Sequence, residues 1–132
     1  MAEFSVIGKR VPKIDSTVKA TGEAQYTADM VMPGMLWGKV LHSPVPHARI
    51  LNIDYSRALR VPGVRGVVTG KDAKGEKYGF IPYTRDKMPF ETEKVRYIGD
   101  EIAAVAAIDE YIAEEALSLI KVDLEELPAV FD

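Results

Sequence analysis

The chain has 132 residues, 47% of them hydrophobic and 28% charged, with a net charge of −3 and no cysteine. That length and balance suit one globular domain with a core of its own, and the missing thiols exclude disulfides and thiolate-held iron–sulfur clusters. No run approaches the roughly 20 apolar residues needed to span a bilayer, no signal-peptide core opens the chain, and the basic residues are scattered rather than gathered on a nucleic-acid-binding face. The expectation is therefore a cytoplasmic protein with neither membrane nor nucleic acid as partner. Charge is uneven along the chain: residues 1–80 are net basic and residues 81–132 net acidic.

In chain order, residues 1–16 lack periodicity and read as an extended arm that leans on something else. Asp15 or Ser16 is positioned to cap a short helix through Lys19 and Ala20, which Gly22 would end. Residues 29–34 form a loop with a Pro33-Gly34 turn. Met35 to Leu41 alternates as a strand. Pro44 and Pro46 then interrupt pairing, since neither has an amide to donate. His47 to Asp54 is the next strand, Tyr55 to Arg60 a single helical turn, and Val64 to Thr69 a third strand. Residues 71–94 are irregular. Phe80, Ile81, Tyr83, Met88 and Phe90 are too many apolar groups for a free linker, so a long docked loop is expected.

The last third has the strongest pattern. Ile102 to Ile108 is a continuous apolar run, as in a strand buried on both faces. Asp109 is placed to cap a helix that would bury Ile112, Ala116, Leu119 and Ile120. Lys121 to Leu127 returns as a strand with Val122 and Leu124 inward and Asp123 and Glu125 outward. Strand, helix and strand with short joints predict a right-handed βαβ unit. The whole is expected to be an α+β fold: a single domain over 1–132, with a small mixed sheet and a C-terminal βαβ unit.

No constellation for chemistry stands out. His42 and His47 are five apart across a proline turn, and no third ligand at a recognised spacing makes them a metal site. The expectation for His47 is a hydrogen bond to backbone that fixes the turn. Glu114 and Glu115 point about 100° apart on a helix, and Glu125 and Glu126 point to opposite faces of a strand, so neither pair can work on one substrate. Ser43 precedes a proline in a turn and lacks the Gly-x-Ser-x-Gly elbow. The segments Gly63-Val64-Arg65-Gly66 and Gly70-Lys71-Asp72 match no phosphate-loop pattern. Catalytic, cofactor-binding and metal residues are therefore all expected to be absent.

Several segments together carry a family signature. They are Thr21-Gly22-Glu23-Ala24 with Tyr26 and Asp29; Ser43-Pro44 with His47-Ala48-Arg49-Ile50; Pro62-Gly63-Val64; Val95-Arg96-Tyr97 with Gly99-Asp100; Ala103-Ala104-Val105; Ala113-Glu114-Glu115-Ala116; and Glu126-Leu127-Pro128-Ala129. In these the chain resembles the N-terminal α/β-hammerhead domain of the molybdenum hydroxylase large subunit, the family of xanthine dehydrogenase, aldehyde oxidase and carbon monoxide dehydrogenase. Two positions depart from it: His42 stands where the family more often has arginine, and Glu101 where it often has proline.

The resemblance implies an oxidoreductase whose cofactors are a molybdenum–pterin, [2Fe–2S] clusters and FAD. All of them would be held outside this segment, which would itself be inactive and serve structure and assembly. Implied partners are the downstream molybdenum-binding domains of the same subunit and the iron–sulfur and flavin subunits or domains. Within the family, Val95 to Asp100 and Ala104 to Glu110 look most like the large subunit of 4-hydroxybenzoyl-CoA reductase, which acts on an aromatic CoA thioester. A xanthine dehydrogenase- or aldehyde oxidoreductase-type domain is the alternative, and a free-standing binding or scaffold protein is the alternative from another class. The irregular segments supply the candidate interface residues: Ser43, Pro44, Pro46, His47, Phe80 and Tyr83.

Overall fold

A computed structural model describes residues 5–73, 75–79 and 81–132. Its contacts divide the chain after Pro33 into two compact units. In the first, α1 (Ser16–Thr21) ends on Gly22 in the left-handed region at φ 78°, a conformation that a Cβ would penalise. The expected cap is not made. Asp15 occupies the N-cap position but its carboxylate turns instead to Lys19, one helical turn on. The Ser16 hydroxyl donates to the Lys13 carbonyl at 2.8 Å. Nothing in α1 is buried.

Among the described residues, the second unit holds six strands in two three-stranded sheets. The first sheet has the order β1 (Trp37–His42), β5 (Glu101–Ala107), β3 (Val64–Thr69), and every pairing in it is antiparallel. The second has the order β4 (Lys94–Val95), β2 (Ala48–Asp54), β6 (Lys121–Glu126), again antiparallel throughout. Between β5 and β6 lies α2 (Glu110–Ser118), whose N-cap Asp109 accepts from the Tyr111 and Ile112 amides.

β5 is central because it is uncharged after Glu101 and mostly alanine, so both its edges can pair while α2 approaches one face closely. Ala103, Val105, Ala58, Ala116 and Ile120 form one buried cluster there. Ile102 points the other way and joins Ala48, Ile50 and Val95 in a second cluster. One strand thus contributes to both cores. Beyond Ile102 its reverse face is only half-buried, so burial on both faces holds at the start of the strand alone.

The predicted βαβ unit and mixed sheet do not form. Both edges of β5 are taken by β1 and β3, and β6 lies in the other sheet, antiparallel to β2. Side chains favour that partner: Arg49 meets Glu125 across the pair at 2.6 Å, and Asn52 donates to Asp123 at 3.4 Å. The expected helix face holds in part, since Ala116 and Ile120 are buried and Leu119 is half-buried, and Ala113 joins it. Ala113 and Ala116 are the buried residues of α2, while Ile112 is half-buried and Ile120 lies beyond the helix end.

Candidate interface surfaces

The turn between β1 and β2 is built by Ser43. Its amide donates to the Asp100 carbonyl at 2.8 Å and its carbonyl accepts from the Gly99 amide at 2.9 Å. Its hydroxyl donates to the Val45 carbonyl at 2.8 Å and accepts from the Val45 amide at 3.2 Å. Ser43 is 2% exposed, so its polar groups are spent on the turn, and of the expected contact residues that are described it alone faces inward. Pro44 is exposed, and Pro46 and His47 are half-buried. The ring Nδ1 of His47 lies 2.7 Å from the Pro128 carbonyl. A carbonyl can only accept, so Nδ1 carries the proton. The His47 carbonyl in turn accepts from the Leu127 amide at 2.9 Å. His47 therefore fixes the chain beyond β6 as well as its own turn. His42 does the same one turn away, its Nδ1 donating to the Gly99 carbonyl at 2.7 Å.

These contacts shape a surface cleft of about 440 Å³, lined by Pro46, His47, Arg96, Tyr97 and Ile98 and closed by residues 128–131. Ile98 is 65% exposed and Phe131 82% exposed, so the cleft presents apolar groups to whatever meets it.

The segment 71–94 is docked, and the residues expected to dock it do so only in part. Ile81 is 40% and Tyr83 85% exposed, Phe80 lies outside the described residues, and Met88 and Phe90 are half-buried. The anchor is ionic. Lys87 pairs with Asp100, reaches Glu101 at 3.0 Å and Glu91 at 3.3 Å, and sits 5.1 Å from the centroid of the Tyr97 ring. Arg96 pairs with Glu91 at 3.0 Å and gives its backbone amide to Asp100 at 2.8 Å. Asp100 and Glu91 are 0% and 4% exposed, and buried carboxylates need such partners. Burial alone would lower the Lys87 pKa, but hydrogen bonds to Asp100, Glu101 and Tyr97 outweigh it and hold the ammonium well above its ordinary value. Glu101 is the converse: burial pushes its carboxyl up, and Lys87 with its other neighbours brings it below the usual value. Desolvation raises the Tyr97 hydroxyl.

Sequence reasoning missed this hub. Gly99-Asp100 reads as a turn, and nothing in the local pattern ties Lys87 to a carboxylate 13 residues on. One signal was available, because Glu101 departs from the proline of the resembled family and here accepts from Lys87. The other departure, His42, is its direct partner in the β1–β5 register.

The arrangement can pin a loop and present an apolar cleft, but it holds no free nucleophile paired with a base. Its carboxylates are neutralised by Lys87 and Arg96. Among the described residues, no three His, Cys, Asp or Glu converge as a metal site, and no helix is long and apolar enough to cross a membrane. With no cysteine in the chain, the donor set does not fit a thiolate-held iron–sulfur cluster.

Known proteins share this sequence and fold. Residues 21–128 match the family described as aldehyde oxidase and xanthine dehydrogenase, a/b hammerhead domain. The chain is 46% identical over 114 residues to a probable xanthine dehydrogenase subunit of Bacillus subtilis, covering 86% of this chain and 15% of that protein. It is 38% identical over 130 residues to the nicotinate dehydrogenase large molybdopterin subunit of Eubacterium barkeri, covering 98% and 30%. Among solved structures, the aldehyde oxidoreductase from Desulfovibrio desulfuricans superposes with a TM-score of 0.84 at 32% identity, over 92% of this chain and 15% of that one. Quinoline 2-oxidoreductase from Pseudomonas putida gives 0.82 at 36% identity, over 93% and 16%. The chain thus spans between 15% and 30% of the length of these relatives.

Proposed function

Because the chain belongs to the α/β-hammerhead family of aldehyde oxidase and xanthine dehydrogenase, we propose that it serves as the N-terminal module of a molybdopterin-dependent oxidoreductase large subunit, acting in assembly and not in the chemical step. The whole of residues 1–132 works as that one module in this reading, in the cytoplasm. Its partners are the molybdenum-binding domains of the same subunit and the iron–sulfur and flavin parts. The molybdenum–pterin, [2Fe–2S] clusters and FAD of the assembled enzyme supply its redox chemistry. None of the residues described above is suited to hold them. The observation that carries the reading is the family match over residues 21–128.

Two substrate classes fit the residues, an aromatic CoA thioester or a substrate of xanthine dehydrogenase or aldehyde oxidoreductase type. The 46% identity to a probable xanthine dehydrogenase subunit favours the second. Assaying the complete enzyme with xanthine, an aldehyde and 4-hydroxybenzoyl-CoA, each with a suitable artificial redox partner, decides between them.

The candidate contact residues are Pro44, Pro46, His47, Phe80 and Tyr83, with Ser43 holding the turn that presents the first three. The assembly role is tested in the complete enzyme carrying Pro46→Ala and Tyr83→Ala. The expected result is weaker subunit association or lower cofactor occupancy, with near-normal turnover per occupied molybdenum site, because contacts set affinity and catalytic groups set turnover. A fully assembled, molybdenum-replete variant with turnover reduced about a thousandfold would place a catalytic group here and overturn the reading.

A further inference from the structure

The two sheets differ on the faces they turn away from their cores. An antiparallel sheet with one wet face alternates apolar residues inward with polar residues outward. The second sheet does so for the most part: Arg49, Asn52, Asp123 and Glu125 are exposed and pair across β2 and β6, with Leu51 exposed among them. The first sheet does not. Leu41, Ala103, Val105 and Val67 pack toward α2, and Lys39 reaches the same side to meet Glu110 at 2.7 Å. The residues between them therefore face away. Register places them in two rows across β1, β5 and β3: Val40, Ala104 and Val68, then Gly38, Ala106 and Gly66.

No charged or polar side chain stands in either row. Val40 is 37% and Val68 41% exposed. A Cβ added at Gly66 would meet nothing within 4 Å, and one at Gly38 only the Val105 carbonyl at 4.0 Å. These glycines are therefore not required by the packing of the chain itself. They leave a shallow, uncharged trough beside a valine ridge, the shape that lets another backbone come close. Charge depletion with exposed aliphatic groups marks the core of an interface rather than a solvated surface.

We infer that this outer face of the β1–β5–β3 sheet is a docking surface for the molybdenum-binding remainder of the same large subunit, which lays an uncharged, apolar helix or sheet face across the two rows. The inference rests on the domain reading above. The occupant follows from length and charge. The family's longer members carry most of their polypeptide outside the region this chain matches, which is 15% of the Bacillus subtilis protein and 14% of a carbon monoxide dehydrogenase large chain. The rows offer nothing to an ionic partner.

The test uses the full-length large subunit in its complete enzyme, in three forms: unaltered, lacking residues 34–132, and carrying Val40→Lys with Val68→Lys. The readouts are molybdenum content per subunit and resistance to limited proteolysis. A desolvated, unpaired ammonium at an interface is strongly unfavourable, so the lysine variant is expected to lose at least about tenfold in the fraction correctly packed. The same two substitutions in the 132-residue chain alone should leave its melting temperature unchanged, because both side chains already face solvent there. If the deletion disrupts assembly and the lysine variant does not, the docking face is wrong and the domain reading stands. If the deletion also leaves assembly intact, both fail. Self-association of the unaltered 132-residue chain, abolished by the lysines, would overturn the inference in favour of a second copy as occupant.

Discussion

Lys87 is the residue on which the irregular half of the second unit depends. It is the shared cation for Asp100, Glu91 and Glu101, and two of those carboxylates are almost fully buried. Lys87→Met keeps the stem and removes the charge, leaving buried carboxylates short of a partner. The expected loss is about 3–5 kcal/mol in urea unfolding at neutral pH. Acid should then separate the variant from the parent. The Glu101 carboxyl is lowered in the fold, so its contribution is present above its ordinary value of 4.5 and fades as pH falls through the lower folded value. The raised Lys87 contributes fully below its ordinary value of 10.5 and is lost only at higher pH. The parent is therefore expected to lose stability below about pH 5. The gap to Lys87→Met should narrow over that range as Glu101 takes up its proton and no longer needs the cation. A gap that stays constant down to about pH 3 would show that Lys87 acts through packing alone.

At the scale of elements, α2 is held by its cap and by two alanines. Asp109→Ala removes the acceptor for two helix-end amides, and a loss of about 0.5–2 kcal/mol is expected. Ala113→Leu forces extra volume against β1 and β5, with an expected loss of about 1–3 kcal/mol. Exposed Glu114→Ala should stay within about 0.5 kcal/mol. Equal losses for Ala113→Leu and Glu114→Ala in chemical denaturation would mean that the buried face of α2 lies elsewhere. The end of β3 has a comparable constraint. A Cβ on Gly70 would collide with the Phe90 carbonyl and the Thr92 methyl group. The loop carrying Lys87 and Glu91 comes home over that glycine, so Gly70→Ala should loosen the same segment as Lys87→Met.

At the scale of the molecule, two small antiparallel sheets share one strand's side chains. Ile102 belongs by pairing to the first sheet and by packing to the second cluster, and this couples them without a parallel crossover. Such a module can fold around its own core while leaving an uncharged face and an apolar cleft at its surface. Its own donors are committed to structure. Purified 132-residue protein is thus expected to fold and, after dialysis against chelator-free buffer, to contain no stoichiometric molybdenum, iron or zinc by elemental analysis. A stoichiometric metal would overturn the assembly-only role.

The sequence by itself determined the strands at 37–42, 48–54, 64–69, 101–107 and 121–126 to within a residue or two, the Asp109 cap, and the family resemblance with its α+β hammerhead fold. Those features rest on local physics: period-two alternation, a side-chain oxygen reaching amides two and three residues on, and turn residues at fixed places. The tertiary structure alone decided which strand pairs with which, because an edge already occupied on β5 cannot be read from β6. It turned Ser43 inward, added Ala113 to the buried face of α2, and tied the 71–94 loop down through Lys87. Each of these depends on groups far apart in the chain, whose attraction or exclusion takes effect only once the backbone has brought them together.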